Sequence, residues 1–520
     1  MTSRIVPSSE RRRLGASQLN GRGSRVAPAA LVPLALLLII GTWAVGIGRY
    51  DGPDEPAHVL RAAAVADGQV RGDAAPGMAG GFRIVTVPAS LATGDPSCYR
   101  HDATVSARCA GERNVGDTSR VATSAGINPP LYYAMVGLPL RVFGGSDASG
   151  WYRLVAVSWN VLALALVAVR LRRDLRATTW MLAATAVVTP AAWFLFGVVN
   201  PNGLEIALLL LAWVSVPRLV EASTSVGVRA CLWVSLPAAL AISIRPIAMM
   251  AASAVAVVVV ILTAGTRGWR WPSRAALVIP PVVAGVLVAV WNAWSSLQFD
   301  DPRAVVTEDR MTALRSTLGG LGDTVREMVG SSGWLEYSIP SISQFVWWMS
   351  AAALCASVWA QRSRAGVLAA AAWALILVLV PVAFEVTTSG RVGHIWQGRY
   401  SIPTLLGLVA LAGSSSDVPL PRLARHWWFA LAAAEIIAFW STLRRATVGT
   451  AGPWWLSPAG ETSWAPAIPA RALLSIHIVI VSSAATAMWW HQRTSDDSAV
   501  TADERTTGSH PTGDHRPLDR

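Results

Sequence analysis

The sequence reads as an all-α polytopic membrane protein of about twelve transmembrane helices with a large first extracytoplasmic loop. Three observations predict this. Hydrophobic residues make up 53% of the chain and charged ones only 14%, too few to coat a soluble fold of 520 residues. Apolar runs of roughly 20 residues, the length that crosses a bilayer core, recur along it. Between them sit short basic clusters, which mark cytoplasmic loops. All 43 cations are Arg, each a permanently protonated guanidinium suited to bidentate phosphate contacts. The net charge of +12 is therefore read as topology, with no nucleic-acid partner.

Residues 1–26 form a basic cytoplasmic segment holding Arg4, Arg11, Arg12, Arg13, Arg22 and Arg25. The apolar stretch Ala27 to Gly48 exceeds a signal-peptide core and shows no small-residue cleavage site, so it is read as a retained first helix. The helical domain then spans 27–490, with a first outer loop at 49–150. Within that loop 128–144 is short and apolar, and is expected to lie on the membrane surface. Trp151–Val169 returns inward to the cluster 170–176. Thr178–Val199 goes out and Leu204–Val216 comes back. The long run 229–265 is split by Arg245-Pro246, because proline disfavours helix in the residue before it, and it ends at the inner cluster 267–274. Ala275–Leu297 leads to a second outer loop, 298–340, and Ile342–Ala360 returns to 362–364. Val367–Val386 goes out, and a short run from Thr404 returns to 422–425. His426–Leu443 and Ala472–Trp490 complete the count, and 491–520 is expected to be a disordered cytoplasmic tail. Both termini are thus cytoplasmic in a bacterial plasma membrane. Arg444-Arg445 alone sits against the charge pattern.

With this threading the polar clusters that are not orientation signals share one side: 51–58, 200–203, Arg245, 330–340 and 391–400. In 51-DGPDEPAH-58 three acids, Asp51, Asp54 and Glu55, crowd a bilayer surface beside His58. Pro56 fits the first position of a helix capped by Asp54 or Glu55, yet capping explains only one acid, and poorly solvated carboxylates tend to be functional. The stretch 200-NPNG-203 is a turn signature. In 333-GWLEYSIP-340 Glu336 lies between aromatics, as a ligand contact or part of an interfacial belt. Arg391, His394, Arg399 and Tyr400, with Arg245, supply the cations and aromatic rings of a phosphate receptor at a water–lipid boundary; the alternative for Arg245 is snorkelling to lipid headgroups. Cys98 and Cys109 lie close together in the first outer loop, where a disulfide is allowed and free thiols are the alternative.

The motifs 53-PDEPAH-58, 129-PPLYY-133, 333-GWLEYSIP-340 and 397-QGRY-400, in that order, resemble a bacterial, often actinobacterial, family of membrane proteins of unknown function. That family groups with the GT-C superfamily of polyprenyl-phosphate-sugar-dependent glycosyltransferases. The resemblance runs from about residue 30 to 410. It implies a GT-C-like fold and inverting transfer of a sugar from a polyprenyl-phosphate donor to an envelope glycan or lipid on the outer face. Membrane lipids surround the site, and a divalent metal ion is an optional cofactor with ligands unknown. It places the general base on Asp54, with Glu55 as its neighbour and a metal or acceptor contact. Asp51, His58, Arg245, Glu336, Arg391, His394, Arg399 and Tyr400 are then substrate-binding candidates. Asn128 stands where some relatives in the superfamily carry a basic residue. Two rival readings remain at this stage. A flippase for lipid-linked sugars would use Glu205, Glu385 and Glu435, at or within apolar runs, but no inverted repeat is visible. A non-catalytic assembly protein would need the acids only as caps.

Overall fold

The computed structural model describes residues 32–75, 78, 82–92, 96–110, 117–143, 149–171, 177–220, 226–265, 268–296, 309–360, 363–414, 422–456 and 464–507. The basic segment 1–26 and much of the cluster 170–176 lie outside these. Helix α1 (Val32–Gly46) ends just before the acidic turn, and α2 (Glu55–Ala66) begins inside it. The first loop is not wholly irregular. It carries a small antiparallel sheet of β1 (Asp73–Ala74), β2 (Arg83–Pro88) and β3 (Thr118–Thr123), a correction to the all-α expectation. The alternating, β-branched 83-RIVTVP-88 buries every second side chain, as a strand with one covered face must.

Next come α3 (Leu131–Phe143), α4 (Ser149–Leu171), α5 (Ala177–Val187), α6 (Pro190–Phe196), α7 (Pro201–Trp213) and α8 (Pro217–Val220). The expected span 178–199 is broken, because Thr189 caps a new helix that starts on Pro190. The stretch 200–203 is likewise no free turn: Asn200 Oδ1 accepts the Asn202 N–H and Pro201 opens α7. Every residue of α7 is buried, so this helix, apolar all round, is the centre of the bundle. It packs on α4 and on α9 (Val228–Ile244). Helix α9 ends before Arg245, whose backbone is extended as the following proline requires, and α10 (Ala248–Thr263) continues beyond it.

The remaining elements are α11 (Trp271–Ser296), α12 (Arg310–Gly319), α13 (Leu321–Gly330), the two-residue pair β4 (Ser331–Ser332) and β5 (Tyr337–Ser338), α14 (Ser341–Ala360) and α15 (Arg364–Val392). After them come α16 (Gly398–Leu405), α17 (Gly407–Gly413), α18 (Trp427–Val448) and α19 (Ala470–Thr507). The short return near Thr404 is two half-length helices. The tail is not wholly disordered, since α19 runs on to Thr507; residues 508–520 lie outside the described ones. Among the described residues, six helices are long and apolar enough to cross a membrane, and four shorter apolar ones accompany them. Helices α11 and α15 turn Val282, Leu287, Val290, Leu368 and Leu375 outward, an apolar exterior suited to lipid and not to water.

Candidate active site

The acidic stretch is shaped by two residues in the left-handed region, Tyr50 (φ 59) and Asp54 (φ 60). Such backbone costs a non-glycine residue roughly 1–2 kcal/mol, so the surroundings must hold it. The Tyr50 ring is buried, with its hydroxyl donating to Leu91 O at 2.8 Å, and Tyr50 O accepts from Trp334 Nε1 at 3.1 Å. Between them Gly52 packs so closely on Val198 that a Cβ would come within 2.8 Å. The resulting kink sends neighbouring carboxylates in different directions. Neither Asp54 nor Glu55 caps α2 in the usual way: the Asp54 side chain makes no cap hydrogen bond, while Glu55 Oε2 accepts the Gly52 N–H at 3.2 Å.

Two of the three acids enter a closed region. Glu55 is buried and receives Arg153 Nε and Nη2, each at 2.6 Å, in a bidentate pair, while Oε1 also accepts the Val199 N–H at 3.1 Å. Arg153 donates onward to the carbonyls of Ala44, Ile47 and Gly48, tying the end of α1 to α4. This corrects the catalytic expectation for Glu55, whose lone pairs are spent on the fold. Asp51, fully buried, faces Arg445 Nη1 at 3.3 Å, and Arg445 Nη2 reaches Glu336 Oε1 at 2.6 Å and Tyr99 O at 2.9 Å. Burial, with Asp51 beside it, pushes the Glu336 carboxyl up to about 7 against the pull of Arg445. Burial likewise pushes Asp51 up. Neither acid is open to a ligand, which corrects their assignment as substrate contacts. Cys98 and Cys109 form a disulfide, and the loop they close is anchored to α18 by the Thr450 N–H donating to Ala103 O at 2.9 Å. Gly449 (φ 75) passes so close to Thr104 O that no Cβ would fit.

Asp54 points the other way, into an open crevice where its side chain is 43% exposed. Its Oδ2 accepts Arg399 Nη2 at 2.6 Å, and the same nitrogen donates to Tyr400 Oη at 3.2 Å. Arg399, only 6% exposed, has no hydrogen-bond partner at Nε or Nη1. Buried guanidinium N–H groups left unsatisfied are costly, so Arg399 has hydrogen-bonding capacity to spare. Arg245, supported by Glu205 at 3.3 Å, shares the Tyr400 ring with Arg399: its guanidinium lies 4.5 Å from the ring centre, and that of Arg399 lies 5.2 Å away. Burial favours the neutral Tyr400 phenol, but the two guanidiniums hold its pKa below the usual value. Burial also works against the Asp54 carboxylate, yet the Arg399 guanidinium, aided by Arg245, holds it below the ordinary range.

His58 sits behind the crevice. Its Nδ1 lies 3.0 Å from Tyr133 Oη, which also accepts from Asn128 Nδ2 at 2.8 Å. Burial pushes His58 down to about 3 despite the nearby Asp54, so the ring is neutral at pH 7. Asn128 and the second tyrosine of 129-PPLYY-133 thus form a hydrogen-bonded chain that ends on His58. The loop bearing Arg399 is itself clamped. Glu385 accepts the backbone N–H groups of Ile395, at 2.9 Å, and Trp396, and its other oxygen lies 2.9 Å from His394 Nδ1. Glu327 accepts the Gly398 N–H at 2.8 Å. His394 Nε2 lies 2.9 Å from Ser316 Oγ, so His394 braces the loop between two helices. The side chain of Arg391 lies outside the described residues. Glu435, the third acid of the apolar runs, pairs with His477 at 2.6 Å and accepts Trp43 Nε1 at 2.7 Å, away from this crevice.

The structure therefore brings 51–58, 200–203, Arg245, 330–340 and 391–400 to one end of the bundle, and contacts link them: Asn200 Nδ2 donates to Pro53 O at 2.7 Å, and Trp334 reaches Tyr50. Arg153, Arg445, Glu327 and Tyr133 are the partners that residue-by-residue reading of the sequence left unassigned. A divalent metal does not fit here. Each acid of the turn already faces a guanidinium, and among the described residues no group of three or more His, Cys, Asp or Glu converges to hold an ion.

Set beside known proteins, residues 37–408 match the model of a family of predicted membrane proteins, DUF2142, and the chain belongs to that family. No curated protein sequence matches it significantly. Among solved structures it is similar to ArnT from Cupriavidus metallidurans bound to undecaprenyl phosphate, with 14% identity and a TM-score of 0.43 over 95% of this chain and 82% of that one. It is also similar to the mycobacterial arabinofuranosyltransferase AftD, with 14% identity and a TM-score of 0.38 over 82% of this chain and 27% of that one.

Proposed function

We propose that this member of DUF2142 is a membrane glycosyltransferase that moves a sugar from a polyprenyl-phosphate donor to an envelope glycan or lipid on the outer face. The observation that carries the reading is the pairing, in one crevice, of a half-open carboxylate with a buried guanidinium that has N–H groups to spare. A sugar hydroxyl is a poor nucleophile, and Asp54 takes its proton as the new bond to C1 forms. The bond from C1 to the phosphate oxygen breaks on the opposite face, its electron pair staying with the phosphate, so the anomeric configuration inverts. Arg399, with Arg245 at the same Tyr400 ring, stabilises the charge that develops on the leaving phosphate. Neutral His58 and the Glu385 and Glu327 clamps keep the two arms in register, and no step requires a metal.

The test is genetic and chemical together. Deletion of the gene is expected to remove or shorten one envelope glycan, and the wild-type chain to restore it. Asp54→Asn and Arg399→Lys, at matched membrane levels, are expected not to. Lys keeps the charge but lacks the planar fork, so restoration by both variants would refute the assignment.

A further inference from the structure

The transfer proposed above makes a demand on Arg399 that its present contacts do not allow. A guanidinium grips phosphate with two parallel N–H groups. It has two such edges, Nη1 with Nη2 and Nε with Nη2, and both include Nη2. Nη2 is the nitrogen already committed: it donates to Asp54 Oδ2 at 2.6 Å and to Tyr400 Oη at 3.2 Å. The nitrogens without partners, Nε and Nη1, do not share an edge. A bidentate phosphate therefore competes with these two residues for Nη2.

We propose that the donor phosphate unmasks the base: Asp54 is the counter-ion of Arg399 until phosphate takes an Nη2 edge, and only then does its carboxylate become competent to accept a proton. The inference rests on the glycosyltransferase reading. Its physics is simple competition. Two anions cannot both hold the Nη2 edge at full strength, and a phosphate placed beside Asp54 repels the carboxylate and raises its proton affinity. In the ligand-free chain the same carboxylate is neutralised by Arg399 and is a weak base. If phosphate displaces Tyr400 instead, Asp54 still gains a negative neighbour, so the sign of the effect is unchanged. The consequence is a reaction order: donor lipid first, acceptor deprotonation second. An acceptor hydroxyl, or water, that reaches the crevice alone meets a masked base.

The experiment uses a short-chain polyprenyl phosphate without sugar, titrated into the full chain in lipid nanodiscs, with the matching polyprenol as a control for the chain alone. Asp54→Asn removes the competing anion and leaves a neutral side chain of the same size. It is expected to bind the phosphate about tenfold or more tightly than wild type, although it is inactive in transfer. Asp54→Glu keeps an anion and is expected to lack that gain, and Asp54→Ala repeats the Asn result should the Asn variant fold poorly. Arg399→Lys is expected to bind more weakly than wild type. Equal or weaker binding by both neutral variants, with Arg399→Lys impaired, would overturn the masking and leave the phosphate receptor standing. Wild-type binding by Arg399→Lys would remove the receptor itself.

Discussion

Asp54 and Glu55 are adjacent in sequence, yet they belong to two regions that use charge in opposite ways. In the closed region Glu55, Asp51 and Glu336 share Arg153 and Arg445, all five side chains being nearly or fully buried. In the open region Asp54 shares Arg399 with Tyr400 and its side chain is 43% exposed; polar atoms without hydrogen-bond partners occur in both regions, at Arg399 Nε and Nη1 and at Arg445 Nε and Nη1 with the Asp51 carboxylate. The lesson is that a salt bridge near a membrane surface is not by itself a site. What separates the two regions is access: the Asp54 side chain is 43% exposed, whereas those of Asp51 and Arg445 are fully buried.

The contrast is broken most severely at the turn itself. Glu55→Ala strands Arg153 in the closed region and is expected to cost about 3–5 kcal/mol, the usual penalty for removing one partner of a buried pair. It would be read as a large fall in the unfolding temperature of the purified protein. Asp54→Asn is expected to leave that temperature near wild type. If the two variants exchanged these phenotypes, open and closed would have been assigned backwards.

A subtler effect sharpens the closed side. Three carboxylates there face two guanidiniums, so the folded state holds one surplus negative charge that a proton removes. Glu336 titrates at about 7 in the fold, above the ordinary 4.5 of a free carboxyl. The folded chain therefore binds more protons than the unfolded chain between those values, and stability falls as pH rises through that window. Glu336→Gln keeps one acceptor oxygen, enough for Arg445 or the Trp334 N–H but not both, and loses the charge. Unfolding temperatures measured from pH 4.5 to 8 should slope less for this variant than for wild type, and an unchanged slope would move the surplus proton elsewhere.

The smallest effect is expected at Arg444, next in sequence to Arg445 but outside both clusters. It donates to Gly452 O at 2.6 Å and stacks on Trp440 and Trp454. It is therefore engaged, not idle. Arg444→Lys should lose on the order of 0.5–1 kcal/mol of stacking and leave turnover unaltered, and a large loss of transfer activity would extend the open region to this helix end.

Much of the open region was legible in the sequence, because its residues break the apolar background where a membrane chain can least tolerate charge: Asp54, Arg245 and Arg399 each stand out at the end of a run. The split at Arg245-Pro246 followed from backbone sterics alone. What the sequence did not disclose was who pairs with whom. Arg153 lies within the first return span, where a lone cation in an apolar helix signals a buried partner, but nothing local says that the partner is Glu55. Arg445 was visible as a violation of the charge pattern, and the violation has a physical cause, since it is a counter-ion to Asp51 and Glu336. The strand 83-RIVTVP-88 carried its alternation openly but is shorter than the Gly- and Pro-rich loop that hides it. The capping reading of Asp54 failed because its left-handed backbone turns the carboxylate away from α2.

The separation of Asp54 from Arg399, 345 residues along the chain, has a consequence for how the protein is made. At roughly 5–20 residues per second of synthesis, the acidic turn waits for some tens of seconds before the arginine that completes its crevice has been translated. Arg445, needed by Asp51, is made later still. Glu55 meets Arg153 after 98 residues, whereas Asp54 and Asp51 have no counter-ion until Arg399 and Arg445 are made. A chain that stalls before α18 would already hold Asp54, Arg245 and Arg399, with Glu55 and Arg153, but would lack Arg445, leaving Asp51 and Glu336 without their counter-ion.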